Sequence, residues 1–193
     1  MNQTDYGTRV IERLSSALAA DEKYLKKQKF ENGIWSIRHY EERWLQFVLM
    51  QKTVGRSDFA LAPEDRPGCF KDNRPIDLAV YDNVKKEKLV ATIELKGPWD
   101  VGEGPPWKHL REARKVLRLQ AKRAGECSES WVFFLVHAPQ KHKIDDWLKR
   151  AKLPRGKTTV KYYRDIRLNS ESPKRKERTT STTLRIVGMR AED

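Results

Sequence analysis

Residues 75–96, PIDLAVYDNVKKEKLVATIELK, contain two runs in which apolar and polar residues alternate, separated by a short polar segment. Alternation with period two predicts β-strands, and two such runs around a short polar connection predict a β-hairpin. One face of this hairpin is apolar and is formed by Ile76, Leu78, Val80, Leu89, Ala91, Ile93 and Leu95. The opposite face carries three charged residues, Asp77, Glu94 and Lys96.

The register of the hairpin determines how close these charges lie. A connection symmetric about residues 85 and 86 gives three cross-strand pairs, Tyr81–Val90, Ala79–Thr92 and Asp77–Glu94. Because opposed Cβ atoms in an antiparallel pair are about 4.5–5.5 Å apart, the two carboxylates repel each other unless a cation lies between them. Mg²⁺ prefers oxygen ligands and is commonly bound by one or two carboxylates. Lys96 shares the face of Glu94 and could orient or deprotonate a water molecule, or neutralise developing negative charge.

The pattern Pro75-Ile76-Asp77 followed by Glu94-Leu95-Lys96 resembles the signature of the PD-(D/E)xK nuclease superfamily, with one residue between the proline and the aspartate. The resemblance implies that Asp77 and Glu94 bind Mg²⁺, for which Mn²⁺ can substitute. It also implies that the main-chain carbonyl of Leu95 is a further metal ligand and that Lys96 assists the attacking water. The alternative interpretation is structural, because opposite charges often pair across strands on the solvent face of an antiparallel sheet.

Length and composition are those of one domain that can bury a substantial core. The chain has 193 residues, 38% hydrophobic and 35% charged, and no apolar run near the roughly 18 residues that a membrane helix requires. Residues 1–9 are polar, so we expect no signal peptide. Cys69 and Cys127 do not form a disulfide framework or a zinc motif. A cytoplasmic location is the simplest expectation.

The net charge of +13 is unevenly distributed along the chain. Residues 1–103 contain 17 Lys and Arg and 17 Asp and Glu, whereas the remainder contains 23 basic and 10 acidic residues. A basic half of this kind favours a nucleic-acid partner, because Lys and Arg contacts to phosphates supply most non-specific affinity. A solubilising or ribosome-associated basic surface is the alternative.

Two helices are predicted before the hairpin. The first covers residues 6–20, with Thr4 or Asp5 as its N-cap. The second covers residues 34–52, and its predicted apolar side is formed by Ile37, Tyr40, Trp44, Phe47 and Val48.

Glu41 falls on this predicted apolar side, where an acid is costly without a partner. The resemblance implies that this helix supplies a glutamate to the metal, and Glu41 is the candidate, with Glu42 near the boundary of the polar face. Pairing of Glu41 with Arg38 or Lys52 is the alternative.

A segment rich in Gly and Pro, residues 97–107, follows the hairpin and predicts a mobile flap. Trp99 and Trp107 in this segment could stack on bases, although packing into the protein explains them equally well. Residues 107–124 then predict a long helix ended by Gly125. Its exposed side is basic and carries the candidate nucleic-acid-binding residues Lys108, Arg111, Arg114, Lys115, Arg118 and Lys122. The resemblance implies an auxiliary role for Gln120.

The last third of the chain predicts a buried central strand over residues 131–138, a short helix over 143–151 and two strands over 158–168 and 182–189. His137, at the end of the buried strand, is either a metal ligand or a structural histidine. The connection between the last two strands contains Lys174, Arg175 and Lys176, which either contact phosphates or belong to a solvated loop.

The predicted fold class is therefore α/β, with a central mixed sheet flanked by helices. By resemblance, residues 34–138 form the αβββαβ core of the restriction endonuclease-like fold, preceded by a helical extension (1–33) and followed by a basic helix and hairpin (139–193), all in one domain. The resemblance implies a Mg²⁺-dependent nuclease acting on DNA rather than RNA, with dimerisation left open. The alternatives are a catalytically inactive nucleic-acid-binding module on the same fold and a basic protein-interaction domain.

Overall fold

A computed structural model describes residues 5–27, 37, 40–53, 58–70, 74–82, 88–102, 106–124, 128–150, 158–168 and 182–191. The helices are α1 (Tyr6–Leu25), α2 (Glu42–Thr53), α3 (Pro106–Ala124) and α4 (Lys141–Arg150). The strands are β1 (Phe59–Asp65), β2 (Ile76–Asp82), β3 (Lys88–Asp100), β4 (Glu129–Ala138), β5 (Thr158–Arg167) and β6 (Thr183–Ala191). The predicted mixed α/β class is confirmed.

The six strands form one sheet in the order β1-β2-β3-β4-β6-β5. Only β3 and β4 pair in parallel; the other neighbouring pairs are antiparallel. The parallel pair is connected through α3, as a parallel pair requires a crossover connection. β4 therefore lies inside the sheet, and its residues 130–136 are all buried, which confirms the predicted central strand.

Helices cover both faces of the sheet. On one face, α1 and α2 bury aliphatic side chains that include Leu14, Leu18, Leu45 and Leu49. Every second residue of the central strands packs against them, for example Leu95 of β3. Because α1 contributes several fully buried side chains, it is part of the main core. Its predicted cap is confirmed, since the Asp5 side chain accepts a hydrogen bond from the Thr8 amide at 2.7 Å.

The opposite face is covered by α3 and α4. Leu110, Ala113 and Leu117 of α3 and Ile144 and Trp147 of α4 pack against the alternate residues of β4 and β6. These three residues of α3 lie on the side of the helix opposite the predicted basic side and are buried. The basic side of α3 therefore faces away from the sheet.

The predicted hairpin is formed by β2 and β3. Ala79 lies opposite Thr92 as predicted, and Leu78 lies opposite Ile93. A register shift between Val80 and Tyr81 makes Leu89, and not Val90, the partner of Tyr81. The shift lies beyond Ala79, so it does not alter the register near Asp77.

The predicted flap at residues 97–107 is wrong for its first part. β3 continues to Asp100, and Trp99 and Asp100 lie opposite Val136 and His137 of β4. The register of β3 against β4 shifts between Lys96 and Trp99, and Gly97 in this interval has φ of 96°. Pairing with a long central strand therefore outweighs the local preference of Gly and Pro for turns.

The predicted apolar side of the second helix is confirmed for Ile37 and Val48, which are buried, but is wrong for Trp44 and Phe47. Leu45, Val48 and Leu49 are buried, whereas Trp44 and Phe47 are 54% and 49% exposed. The sequence offers an aromatic stripe and an aliphatic stripe on the same helix, and the sheet selects the aliphatic one. Of the predicted range 34–52, residues 34–36, 38 and 39 lie outside the described residues.

Across the described ranges, no helix is both long enough and apolar enough to cross a membrane.

Candidate functional site

Asp77 and Glu94 lie side by side on neighbouring strands. Continuing the register of Leu78 and Ile93 by one residue places them opposite each other, and their carboxyl groups are hydrogen-bonded. Asp77 Oδ2 also accepts a hydrogen bond from the Leu95 amide at 2.7 Å. The Leu95 main chain thus contacts the aspartate directly through its nitrogen.

The environment of Glu94 favours its neutral form. Burial, followed by the negative charge of Asp77 and the hydrogen bond to it, raises the pKa of Glu94 to about 8. Lys96 and Arg123 oppose this shift without cancelling it. Two close carboxyl groups in a poorly solvated place retain a proton in this way unless a cation compensates their charge.

Lys96 lies beside the carboxyl groups of Glu42 and Glu94. Its Nζ is 3.4 Å from Glu42 Oε2 and 3.9 Å from Glu94 Oε2. Only 19% of the lysine side chain is exposed. The ammonium group is therefore held next to the carboxyl pair.

Glu42, and not the predicted Glu41, is the helix carboxylate at this place. Glu41 is exposed, and its main-chain carbonyl accepts the first hydrogen bonds of α2 from the Trp44 and Leu45 amides. Glu42 is half-buried, hydrogen-bonded to Lys96 and to the Gly97 main chain. Burial raises the pKa of Glu42, and Asp77 adds to this effect against the opposing charge of Lys96.

Gln46 links the helix to the strand that carries Asp77. It is buried one turn after Glu42, and its Nε2 donates a hydrogen bond to the Asp77 main-chain carbonyl at 3.3 Å. Sequence reasoning missed this residue. The detectable signal was the spacing i, i+4 between Glu42 and Gln46, which places both side chains on one side of the helix.

α3 brings two polar residues to the same face of the sheet. Arg123, which sequence reasoning did not assign to the site, acts electrostatically on Glu94, contacts the Phe70 ring at 4.9 Å and donates a hydrogen bond to the Arg74 carbonyl. Gln120 lies one turn earlier and is 2% exposed. Within the described residues, neither its Oε1 nor its Nε2 has a hydrogen-bond partner. A buried amide group in this state requires an explanation such as a bound molecule.

Five of the six candidate nucleic-acid-binding residues of α3, all except Lys122, line a groove along this helix with a volume of about 910 Å³. Lys108, Arg111, Lys115, Arg118 and Lys122 are exposed, and Arg114 is half-buried. Burial, together with the neighbouring Arg118, lowers the pKa of Arg114. Cations crowded in this way attract an anionic partner. Lys174, Arg175 and Lys176 lie outside the described residues.

The two tryptophans predicted as candidates for stacking on bases, Trp99 and Trp107, lie in different elements. Trp99 stacks on His109, with ring centres 4.6 Å apart, and on Phe134, at 5.4 Å, so it is partly buried and packs against the core. Trp107 is part of α3, and its side chain lies outside the described residues. His137 Nδ1 is 3.7 Å from Asp100 Oδ2, away from the Asp77–Glu94 pair.

No group of three or more His, Cys, Asp or Glu side chains among the described residues is arranged to hold a metal ion. The site offers the two carboxylates Asp77 and Glu94. A pair of carboxylates is sufficient for Mg²⁺, which retains several water ligands. The negative charge of Asp77 contributes to the raised pKa of Glu94. A cation bound between the two carboxylates would relieve the repulsion between them.

Comparison of the chain with protein-family models, with curated proteins and with solved structures found no match in any of the three. Over the part of the chain that the structure describes, the protein is of the mixed α/β class, with a six-stranded mixed sheet.

Proposed function

We propose that this chain is a metal-dependent nuclease that hydrolyses phosphodiester bonds, with DNA as its substrate. The observation that carries the proposal is the direct contact between Asp77 and Glu94 beside Lys96. The sequence resemblance to the PD-(D/E)xK superfamily supplies the type of reaction. The strand order around the site is compatible with the restriction endonuclease-like core that this resemblance implies.

Asp77 and Glu94 would hold Mg²⁺, with the Leu95 carbonyl as the further ligand that the resemblance implies. When bound, Mg²⁺ polarises the scissile phosphate and lowers the pKa of a coordinated water. Lys96, held by Glu42, stabilises negative charge on the phosphate and orients the attacking water. Gln46 keeps Asp77 in place by its contact to the strand.

The nucleic acid would be bound by the basic side of α3. Its cations are exposed along the groove, and such contacts bind phosphates without reading sequence. Arg123 lies at the end of the same helix nearest Glu94, so it would contact phosphates adjacent to the reacting one. The buried amide of Gln120 supports the proposal, because a bound substrate or water network would satisfy it.

A cleavage assay tests the proposal. Supercoiled plasmid and single-stranded DNA are incubated with the protein and Mg²⁺ or Mn²⁺, and compared with Asp77→Asn, Glu94→Gln and Lys96→Ala. We expect metal-dependent cleavage that falls by at least about 100-fold in each variant, since each removes one catalytic interaction. Binding of DNA in EDTA should remain close to wild type in Lys96→Ala.

Cleavage that persists undiminished in Glu94→Gln and Lys96→Ala would contradict the assignment of the site. Binding without cleavage under both metals would indicate instead the catalytically inactive binding module.

A further inference from the structure

Three aromatic residues lie in a row at the beginning of α2. Trp44 and Phe47, three residues apart, are exposed on one side of the helix, and Tyr40, two residues before the helix begins, is partly buried against the core. The Tyr40 and Trp44 ring centres are 6.0 Å apart, and the Trp44 and Phe47 rings meet edge to face at 5.6 Å. We refer to these three residues as the α2 aromatic strip.

The strip is anchored at one end and open at the other. The Tyr40 hydroxyl is hydrogen-bonded to Asp21 of α1, and burial together with this acid raises the pKa of Tyr40 to about 12. Trp44 and Phe47 leave about half of their surfaces in water, at 54% and 49% exposure. Isolated exposed apolar residues are ordinary, but adjoining aromatic rings fixed on a helix indicate a binding surface.

Exposed basic residues lie on the two segments that carry or contact this strip. Lys23, Lys26 and Lys27 are exposed at the end of α1, where Asp21 contacts Tyr40. Arg43, next to Trp44, is also exposed, whereas Glu41 is the exposed acid of the same two segments. A second copy of this chain, which carries a net charge of +13, would be repelled by such a surface, and a polyanion would be attracted.

The strip lies on the same helix as Glu42 but on its other side. Glu42, which contacts Lys96, precedes Trp44 by two residues. This separation corresponds to about 3 Å along the helix axis and about 200° around it, so the exposed rings face away from the side that carries Glu42 and Gln46. A strand that contacts both the rings and the site would therefore pass around the beginning of α2.

We propose that the α2 aromatic strip binds single-stranded DNA by stacking unpaired bases on Trp44 and Phe47, with phosphates near Lys23, Lys26 and Arg43. The inference rests on the proposed function, because it assigns to the nuclease a substrate that contains an unpaired strand. Bases inside a duplex are already stacked and paired, so a duplex cannot use these rings. Stacking on an aromatic side chain tolerates any base, and the basic residues make the contact independent of sequence.

The experiment measures binding in EDTA, where no metal-dependent cleavage takes place. The probes are a fluorescein-labelled oligothymidylate of about 20 nucleotides, longer than the ~4–16 nucleotides of common single-strand sites, and a blunt duplex of equal length. Wild type is compared with Trp44→Ala/Phe47→Ala and with the conservative variant Trp44→Phe. Fluorescence anisotropy is recorded at several salt concentrations, and sedimentation velocity is recorded for each protein.

We expect the double alanine variant to weaken oligothymidylate binding by at least about fivefold, the lower limit for one lost stacking contact. Duplex binding should change less than about twofold, and the salt dependence should be unchanged because no cation is removed. Trp44→Phe, which retains a ring, should recover most of the affinity.

The inference would be overturned if the double alanine variant lost equal affinity for both probes, or lost no affinity for the single-stranded probe. A dimer that the double variant converts to a monomer with unchanged DNA binding would also overturn it, because the strip would then bind a second copy of the chain. A failure of the proposed function is distinguishable: the protein would cleave no DNA with Mg²⁺ or Mn²⁺, whereas stacking of the oligothymidylate in EDTA would still depend on Trp44.

Discussion

Asp77 and Glu94 are hydrogen-bonded to each other through their carboxyl groups across the antiparallel pair β2–β3. A hydrogen bond between two carboxyl groups requires a proton on one of them. The charge state of this pair is therefore linked to pH, to metal ions and to the stability of the fold.

The first prediction concerns pH and the metal-free protein. The pKa of Glu94 is raised from its ordinary value of 4.5 to about 8, so the folded state binds this proton more tightly than the unfolded state. The contribution is fully present below pH 4.5 and is lost as the pH rises towards 8. Asp77→Asn removes the largest charge interaction that raises this pKa, so it should flatten the decline. Urea unfolding in EDTA, repeated between pH 4.5 and pH 8, measures this decline in the free energy of unfolding.

Glu12→Gln is the matched control, because Glu12 is exposed on α1. It should retain the wild-type decline of stability with pH. An unchanged decline in Asp77→Asn would contradict the coupling of the two carboxyl groups.

The second prediction concerns metal binding. Mg²⁺ or Mn²⁺ should raise the melting temperature at pH 8, because an ion held by Asp77 and Glu94 binds only the folded state. Saturation at 100 times the dissociation constant corresponds to about 2.7 kcal/mol of added stability. The increase should be smaller at pH 5, where the proton on Glu94 competes with the ion. Calorimetry measures the increase in melting temperature at both pH values.

Glu94→Gln should abolish this increase, and the control Glu12→Gln should retain it. The same increase in both variants would show that the ion binds elsewhere.

The third prediction separates Glu41 from Glu42. Glu42→Gln removes the charge that holds Lys96, so we expect the cleavage rate constant to fall by about 10–100-fold, as for residues that orient a catalytic group. The KM for DNA should change little. Glu41→Gln should behave as wild type, because Glu41 is exposed. Steady-state kinetics on a plasmid measure both variants. A larger loss of the cleavage rate constant in Glu41→Gln than in Glu42→Gln would mean that Glu41, and not Glu42, is the glutamate of the site.

The fourth prediction concerns Gly97. A Cβ at this residue would lie 2.7 Å from the Leu135 carbonyl oxygen, and the φ of 96° is unfavourable for any other residue. Gly97→Ala should lower the free energy of unfolding by at least about 1–3 kcal/mol. It should also displace the main chain that contacts Glu42. Gly68→Ala is the control, since a Cβ there meets nothing within 4 Å. Equal stability of the two variants in urea would contradict the close approach of β3 and β4.

The fifth prediction concerns the basic side of α3. Arg111→Ala/Lys115→Ala should reduce the slope of log affinity against log salt by about 2, close to one unit for each lost phosphate contact. The control Lys88→Ala/Arg164→Ala makes the same change in net charge at exposed residues of β3 and β5. Anisotropy with duplex DNA measures both. Equal slopes in the two variants would show that net charge, and not the groove, determines the binding.

The parts of the fold that the sequence predicted well are those with a strong local pattern. The alternation in β2 and β3 and the 3.6-residue period of α3 predicted these elements. Five of the seven apolar residues predicted on one face of the hairpin lie together in the main core, whereas Ile76 and Leu89 pack in a separate cluster with Ala79 and Ala124. Local periodicity also predicted that Asp77, Glu94 and Lys96 share one face of the hairpin, because side chains alternate between faces with period two. What the resemblance adds, the metal and the reaction, stays a prediction.

Patterns that competed within one segment were resolved only by tertiary contacts. The α2 segment has an aromatic and an aliphatic stripe, and the flat surface of β-branched and aliphatic residues on the sheet buries Leu45, Val48 and Leu49. That choice turns Glu42 towards Lys96 and leaves Trp44 and Phe47 in water. In the same way, pairing with β4 extended β3 through Gly97 into a segment whose composition favours a turn.

The sequence by itself determined the class of the fold, the central strands and the charged face of the hairpin, because backbone periodicity and side-chain polarity act over a few residues. Only the tertiary structure decided which glutamate meets Lys96, that Gln46 and Arg123 adjoin the site, and that Trp99 stacks on His109 and Phe134. These contacts join residues far apart in the chain, and their geometry follows from how whole helices and strands pack, which no local pattern specifies.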